Sequence, residues 1–440
     1  MSVLPSPATA TGSDAGISID LPHFTDLGLA GSSLISGWFR RAVFRKLQAI
    51  HSGMLEIHDG DGVSTFGDRE SDLQVSIRVH DSSFYRSVAV GGSMGAGESY
   101  IDGAWSCDDL TKLIQLFSRN LRCSGELGGF LESIVTIARK VTHRLNRNTR
   151  RGSRRNIAAH YDLSNDFYKL FLDETMTYSS GVFNTPDDSM REASIEKYDR
   201  LCQKLDLDNT DHVLEIGTGW GGFSIHAAKT YGCRVTTTTI SSEQHEFARQ
   251  RIEQEGLQDR VTLLQKDYRD LTGQYDKLVS IEMIEAVGHE YLPTYFRTCS
   301  DRLKPDGLFA FQAITIPDQR YESYRRSVDF IQKYVFPGGF LPSVGALSAA
   351  VGKYTDMQWI HFEDFAEHYA RTLECWREKL FENIVEVRKL GMKDSFLRLW
   401  EFYLCYCEGG FREKQIGVAQ ILLQKPGNRR PANYPGLGEV

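Results

Sequence analysis

The sequence lacks paired cysteines, lacks a long apolar run and, across one stretch near its middle, lacks acids altogether. Its eight cysteines, Cys107, Cys123, Cys202, Cys233, Cys299, Cys375, Cys405 and Cys407, show no CxxC spacing. That scatter argues against structural zinc and a disulfide framework; it points to a reducing cytoplasm, and no metal is expected. No apolar run approaches the roughly 20 residues needed to cross a bilayer. The opening MSVLPSPATATGSDAG has neither the basic nor the apolar part of a secretory signal, and residues 1–35 read as a disordered tail, with a second short tail over 427–440. Between Ser133 and Tyr161 there is no Asp or Glu, while Arg139, Lys140, Arg144, Arg147, Arg150, Arg151, Arg154 and Arg155 crowd together, in a chain whose net charge is −7. Residues 133–155 are therefore expected to be a basic linker. It suits an anionic membrane surface, each charge there adding about 1 kcal/mol. No nucleic-acid motif accompanies it, so nucleic acid is not expected as a partner. The plainer reading is a solvated connection between domains.

What is present is an ordinary globular composition, 41% hydrophobic and 25% charged over 440 residues, enough for two domains. The chain is organised around His212–Gly222, HVLEIGTGWGG. Val213, Leu214, Glu215 and Ile216 suit a parallel strand covered on both faces. Gly217, Gly219, Gly221 and Gly222 then allow a sharp turn beside a ligand, and a helix follows. This is the first unit of a doubly wound α/β fold, with the ligand outside the carboxyl end of the strand. The turn is neither G-x-G-x-x-G nor a P-loop, so it suits a nucleoside without phosphates. Downstream, strands are expected at 234–239, 261–264 and 277–282, with helices at 223–231 and Ser242–Glu255, as a parallel sheet requires.

Upstream, Ser36–His51 reads as a helix with interleaved arginines and lysines, Leu73–Val79 as a half-buried strand, and Gly95–Trp105, GAGESYIDGAW, as a loop. Residues 36–132 are thus expected to form a smaller N-terminal α+β domain, and 156–426 the doubly wound one. The segment at about 318–345 interrupts the α/β rhythm where a lid would sit, and 366–387 reads as one helix.

Candidate site residues follow from strand ends. The second strand ends in TTTTISSEQ without an acid for ribose hydroxyls, so Thr239 and Gln244 replace it, or Glu215 contributes. Asp267 and Tyr268, after the third strand, are placed for an adenine amino group and ring. Glu282 and Glu285 end the fourth strand in SIEMIEAVG; a carboxylate there is costly to bury without hydrogen bonds, so one of the two is expected to face the site. Tyr178, Tyr334 and Tyr369 are further candidates.

HYDLSNDFYKLFLDETMTYSS, VLEIGTGWGGF, TISSEQ, VSIEMIEAVG, YVFPGGFLPS and HYARTLECW, in this order, resemble the cyclopropane fatty acid synthases and mycolic acid cyclopropane synthases. GAGESYIDGAW resembles the extra lipid-binding domain of the longer bacterial synthases. The resemblance implies a class I, Rossmann-like methyltransferase domain. It also implies transfer of the methyl of S-adenosylmethionine to a cis double bond in a phospholipid acyl chain, by a peripheral, cytoplasmic enzyme that is a homodimer by analogy. A bicarbonate ion is implied beside the methyl as proton acceptor. The resemblance gives Glu285, Tyr369 and Ile314 family roles around that ion and the cofactor to Tyr178, Gly217, Gly219, Gly221, Thr239, Gln244, Asp267 and Tyr268. Ser180 stands where the family has Cys, and Gln312 where it has His. Both can still hydrogen-bond an anion, but glutamine cannot take a proton near neutrality. A methylene or methyl branch is therefore the alternative product to a ring. A soluble acceptor, and a lipid-binding protein without turnover, are the more distant alternatives.

Overall fold

The computed structural model describes residues 33–120 and 164–430. The basic stretch 133–155 and most of the N-terminal tail lie outside the described residues. The N-terminal part runs α1 (Ser33–Leu47), β1 (Met54–Asp59), β2 (Gly62–Gly67), β3 (Gln74–Val79), α2 (Ser83–Ile101), β4 (Trp105–Cys107) and α3 (Leu110–Arg119). Its strands form a sheet of order β2-β1-β3-β4, in which β1 pairs parallel to β3 and the other pairs are antiparallel. Leu55, Ile57, Val75 and Ile77 are the buried members of the alternation that a one-sided sheet demands.

The expected loop at 95–105 is a helix for most of its length. Residues 95–101 are the second arm of α2, which bends at Gly92, where φ is +57°. Glycine concealed the helix in the sequence, and packing explains the glycines. A Cβ on Gly97 would meet Phe330 at 2.9 Å and Phe402 at 3.0 Å, and one on Gly95 would meet the Ser87 carbonyl at 2.0 Å. Tertiary approach outweighs the weak helix propensity of glycine here.

The second part comprises α4 (Asn165–Lys169), α5 (Met190–Lys204), β5 (His212–Ile216), α6 (Gly222–Thr230), β6 (Arg234–Thr239), α7 (Ser242–Gln254), β7 (Val261–Gln265), β8 (Tyr275–Ile281), α8 (Leu292–Arg302), β9 (Leu303–Thr315), α9 (Asp318–Arg325), α10 (Phe330–Tyr334), α11 (Val344–Tyr354), β10 (Gln358–Asp364), α12 (Ala366–Glu382), α13 (Ile384–Lys389), α14 (Asp394–Arg412) and β11 (Gly417–Gln424). The sheet order is β10-β11-β9-β8-β5-β6-β7. Strands β9, β8, β5, β6 and β7 are parallel, and β11 and β10 add an antiparallel edge. Order reverses at β5, which lies between β6 and β8, so the ligand crevice opens above that strand. The helix expected over 366–387 is two helices. They part at Asn383, whose side chain donates to the Leu170 carbonyl at 2.9 Å.

Helix α14 joins the two parts. Tyr100 donates to Glu401 at 2.6 Å and Thr111 to Glu408 at 3.1 Å. The buried Glu408 also pairs with Arg377 at 3.1 Å and Arg412 at 2.9 Å. Among the described residues, no helix is long and apolar enough to cross a membrane.

Candidate active site

The turn after β5 is shaped by backbone. Gly217, Gly219 and Gly221 have φ of +101°, +53° and +88°, the left-handed region that side chains disfavour. Gly222 lacks a side chain for a different reason: a Cβ would stand 2.3 Å from the Tyr198 hydroxyl, so its absence lets α6 close on α5. The turn opens into a cavity of about 1340 Å³. Tyr178, Glu215, Gly217, Gly219, Thr239, Gln244, Asp267 and Tyr268 all line it, and Gly221 does not, serving instead as the N-cap of α6. Thr239 donates to Gln244 at 2.9 Å, and Thr237 donates to Glu215 at 2.5 Å. Burial pushes the Glu215 carboxyl up to about 8. Asp267 is engaged by the Arg269 guanidinium at 2.6 and 2.8 Å, a partner that the sequence reading did not include.

Beyond the turn the walls become aromatic. Tyr178 stacks on Trp376 at 5.2 Å and shares a 2.9 Å hydroxyl contact with Tyr403, and Tyr369 stacks on Phe411 at 4.5 Å. Farther still, the cavity passes Ile331, Phe336 and Phe402 and ends among Leu47 at the end of α1, Ile50 just beyond it, Ala89 and Ala96 of α2, and Ile114 and Phe117 of α3. Segment 318–345 supplies one wall, and its Phe340 N–H is tied to the Glu285 carbonyl at 2.8 Å. Tyr334 lies elsewhere, donating to Glu98 at 2.7 Å.

The two carboxylates after β8 are treated differently by their surroundings. Glu282 receives the Ser180 N–H at 2.9 Å and the Gln312 amide at 2.7 Å on one oxygen, and the Tyr369 hydroxyl at 2.7 Å on the other. Glu285 receives the Ile314 N–H on one oxygen, and its other oxygen is buried without a partner. Both line the cavity, and their exposed area faces that interior space. Burial raises both carboxyls, Glu285 to about 8. The sequence reading grouped Ser180, Gln312 and Tyr369 with Glu285. The structure instead gathers those three on Glu282, and Ser180 and Gln312 sit fully buried behind it without lining the cavity. Lys197 was missed. It is buried on α5, donates to Ser179 at 2.6 Å, and lends its charge to Glu282, while burial lowers its own amine to about 8. The only signal was a lysine in line with Ser194 and Leu201 on the buried face of a helix.

The family described as mycolic acid cyclopropane synthetase matches residues 148–421. The chain belongs to that family. It is 39% identical over 364 residues to the tuberculostearic acid methyltransferase UfaA1 of Mycobacterium tuberculosis, a match spanning 80% of this chain and 84% of that one. It is 35% identical over 355 residues to the cyclopropane-fatty-acyl-phospholipid synthase of Escherichia coli, spanning 79% and 87%. The solved structure of the cyclopropane synthase MmaA2 from M. tuberculosis superposes with a TM-score of 0.58 at 30% identity, covering 62% of this chain and 98% of that chain. Cyclopropane synthase CmaA1, complexed with SAH and CTAB, gives 0.58 at 31%, with the same coverage. This family member is thus an S-adenosylmethionine-dependent methyltransferase of the class I fold. The donor set agrees: a left-handed glycine turn, Glu215 and Gln244 surround a space suited to a nucleoside without phosphates.

Proposed function

We propose that the enzyme transfers the cofactor's methyl to the cis double bond of an unsaturated acyl chain in a membrane phospholipid, forming a cyclopropane ring. The observation that carries this reading is the continuity of the cavity. One end meets the glycine turn, and the other is an apolar corridor reaching α1, α2 and α3, long and oily as a hydrocarbon chain requires. The relatives act on fatty acyl chains, and their names include both ring formation and fatty acid methylation. The cofactor, when bound, supplies an electrophilic methyl, which the alkene electron pair takes as the bond to sulfur breaks. Tyr178, Tyr369 and Phe411, which line the cavity there, then present aromatic groups to the positive charge left on the chain and keep water from it, with Trp376 packed behind Tyr178. A second reading, a methylene branch, is favoured by Gln312 standing where the family has a titratable histidine, and by the resemblance to a tuberculostearic acid methyltransferase. The N-terminal part and the stretch 133–155 would dock the enzyme on an anionic bilayer from the cytoplasmic side.

The test is incubation with methyl-labelled S-adenosylmethionine and vesicles of monounsaturated phospholipid, followed by mass spectrometry of the fatty acids. A gain of one CH₂ is expected, and resistance of the product to hydrogenation distinguishes a ring from a methylene branch. No label in lipid from protein that binds cofactor would contradict the reading and point to a soluble acceptor.

A further inference from the structure

We propose that Glu282 is the proton acceptor of the reaction, a carboxylate built into the chain that makes an external bicarbonate unnecessary. The inference rests on the acyl-methylation reading and deepens it.

Three independent features of the structure lead to Glu282. Its side chain lines the cavity immediately beyond β8, beside the cofactor turn: the next residue, Met283, lies 3.2 Å from where a Cβ on Gly217 would be. Its two oxygens collect hydrogen bonds from the Ser180 N–H, the Gln312 amide and the Tyr369 hydroxyl. These are donors that the family resemblance assigns to an anion, and here they are all engaged by the protein's own carboxylate. Finally, its backbone is left-handed, with φ of +47°. An L-residue there costs about 1–2 kcal/mol that glycine would not, and such strain persists where surroundings over-determine it, commonly at functional sites.

Its neighbour cannot serve in the same way. Two adjacent carboxyls in one buried site do not both ionise readily. Burial raises both carboxyls, but Glu282 has three donors and the nearby Lys197 to favour its charged form, whereas Glu285 has a single N–H and an unpartnered oxygen, so of the two Glu282 is the better suited to carry the charge. After methyl transfer, a C–H bond of the newly attached methyl breaks and its proton forms an O–H bond with Glu282. The released electron pair closes the third side of the ring by bonding to the cationic carbon; where a 1,2-hydride shift has first moved the charge to the methyl-bearing carbon, the same pair forms the C=C of a methylene branch. No oxidant or reductant is consumed. Gln312 and Ser180 hold the carboxylate and do not touch substrate, so they are positioning residues.

The decisive variant is Glu282→Gly, which removes the carboxylate and suits the local φ. S-adenosylhomocysteine binding by calorimetry is expected to stay within about threefold of wild type, and the melting temperature is not expected to fall. Acyl methylation should drop by about 10²-fold or more, the usual worth of a positioned base. Added bicarbonate or formate should restore at least about tenfold of that loss, saturably. Wild-type turnover in CO₂-free buffer should be unchanged. Glu282→Gln, which preserves volume, should lose activity similarly without rescue, and it serves if the glycine variant fails to fold. Either variant turning over within about threefold of wild type, or wild type that requires added bicarbonate, would overturn the assignment. Wild type that labels no acyl chain at all would instead defeat the acyl reading, so the two failures are distinguishable.

Discussion

The two ends of the cavity are built by opposite means. At the cofactor end, a single eleven-residue stretch supplies the strand, the turn and the helix start, and its shape comes from backbone torsions at Gly217, Gly219 and Gly221. At the apolar end, no stretch suffices: side chains from α1, α2, α3, α10 and α14, separated by hundreds of residues, converge on one corridor. A site made of local backbone is legible from sequence, whereas one made of distant side chains is not. It also follows that the ends should fail separately when altered.

The sharpest break is expected at the cofactor end. Gly222→Leu places a side chain where a Cβ alone would be 2.3 Å from the hydroxyl of the buried Tyr198, so either that ring or the start of α6 must move. S-adenosylhomocysteine affinity should fall at least about 100-fold by calorimetry, and methyl transfer with it. At the other end, Ala96→Trp fills the corridor between α2 and its neighbours. Cofactor affinity should remain as in wild type, while turnover of long acyl chains should fall about tenfold and shift toward shorter ones, read by competition between phospholipids of different chain length. If both substitutions weakened cofactor binding equally, the two ends would not be separate.

A third prediction concerns pH. Glu285 has a folded pKa of about 8 against an ordinary 4.5, so the folded chain binds more protons than the unfolded one between those values. Its contribution to stability is whole below about pH 4.5 and is lost as pH rises through 8. Glu285→Gln should flatten that decline, gaining on wild type by on the order of a few degrees of melting temperature at pH 9 relative to pH 5. Glu215, also raised to about 8, adds a decline of the same sign, so the slope should shrink rather than vanish. The smallest effect belongs to the joint between the two parts. Tyr100→Phe removes the 2.6 Å bond to Glu401 and should cost about 1–2 kcal/mol in chemical denaturation, leaving cofactor affinity untouched.

Much of the fold was legible because its signals are local. Strands β5, β6 and β7 announce themselves as short apolar or threonine-rich runs between helices, and Ser189 and Glu192 form a capping box, a local signal, at the start of α5. The second arm of α2 was not legible, since Gly95 and Gly97 read as loop until Ser87, Phe330 and Phe402 are seen against them. Nor was the unbroken helix over 366–387 corrected by any local signal; Asn383 ends α12 by bonding to Leu170, more than 200 residues away. In the site, both glutamates after β8 were visible as candidates. Their division of labour was not, because Ser180, Gln312 and Tyr369 reach Glu282 from three separate segments, and spacing along the chain carries no trace of that meeting.

The most direct test of the account is to bind a monounsaturated phospholipid carrying a diazirine near its acyl terminus to the S-adenosylhomocysteine complex, irradiate, and map the labelled peptides. The account predicts label within residues 83–119, on α2 and α3, displaced by unlabelled phospholipid and reduced in Ala96→Trp. Label confined to the outer surface of the sheet β10-β11-β9-β8-β5-β6-β7 part, or label on α2 and α3 unaffected by Ala96→Trp, would contradict it.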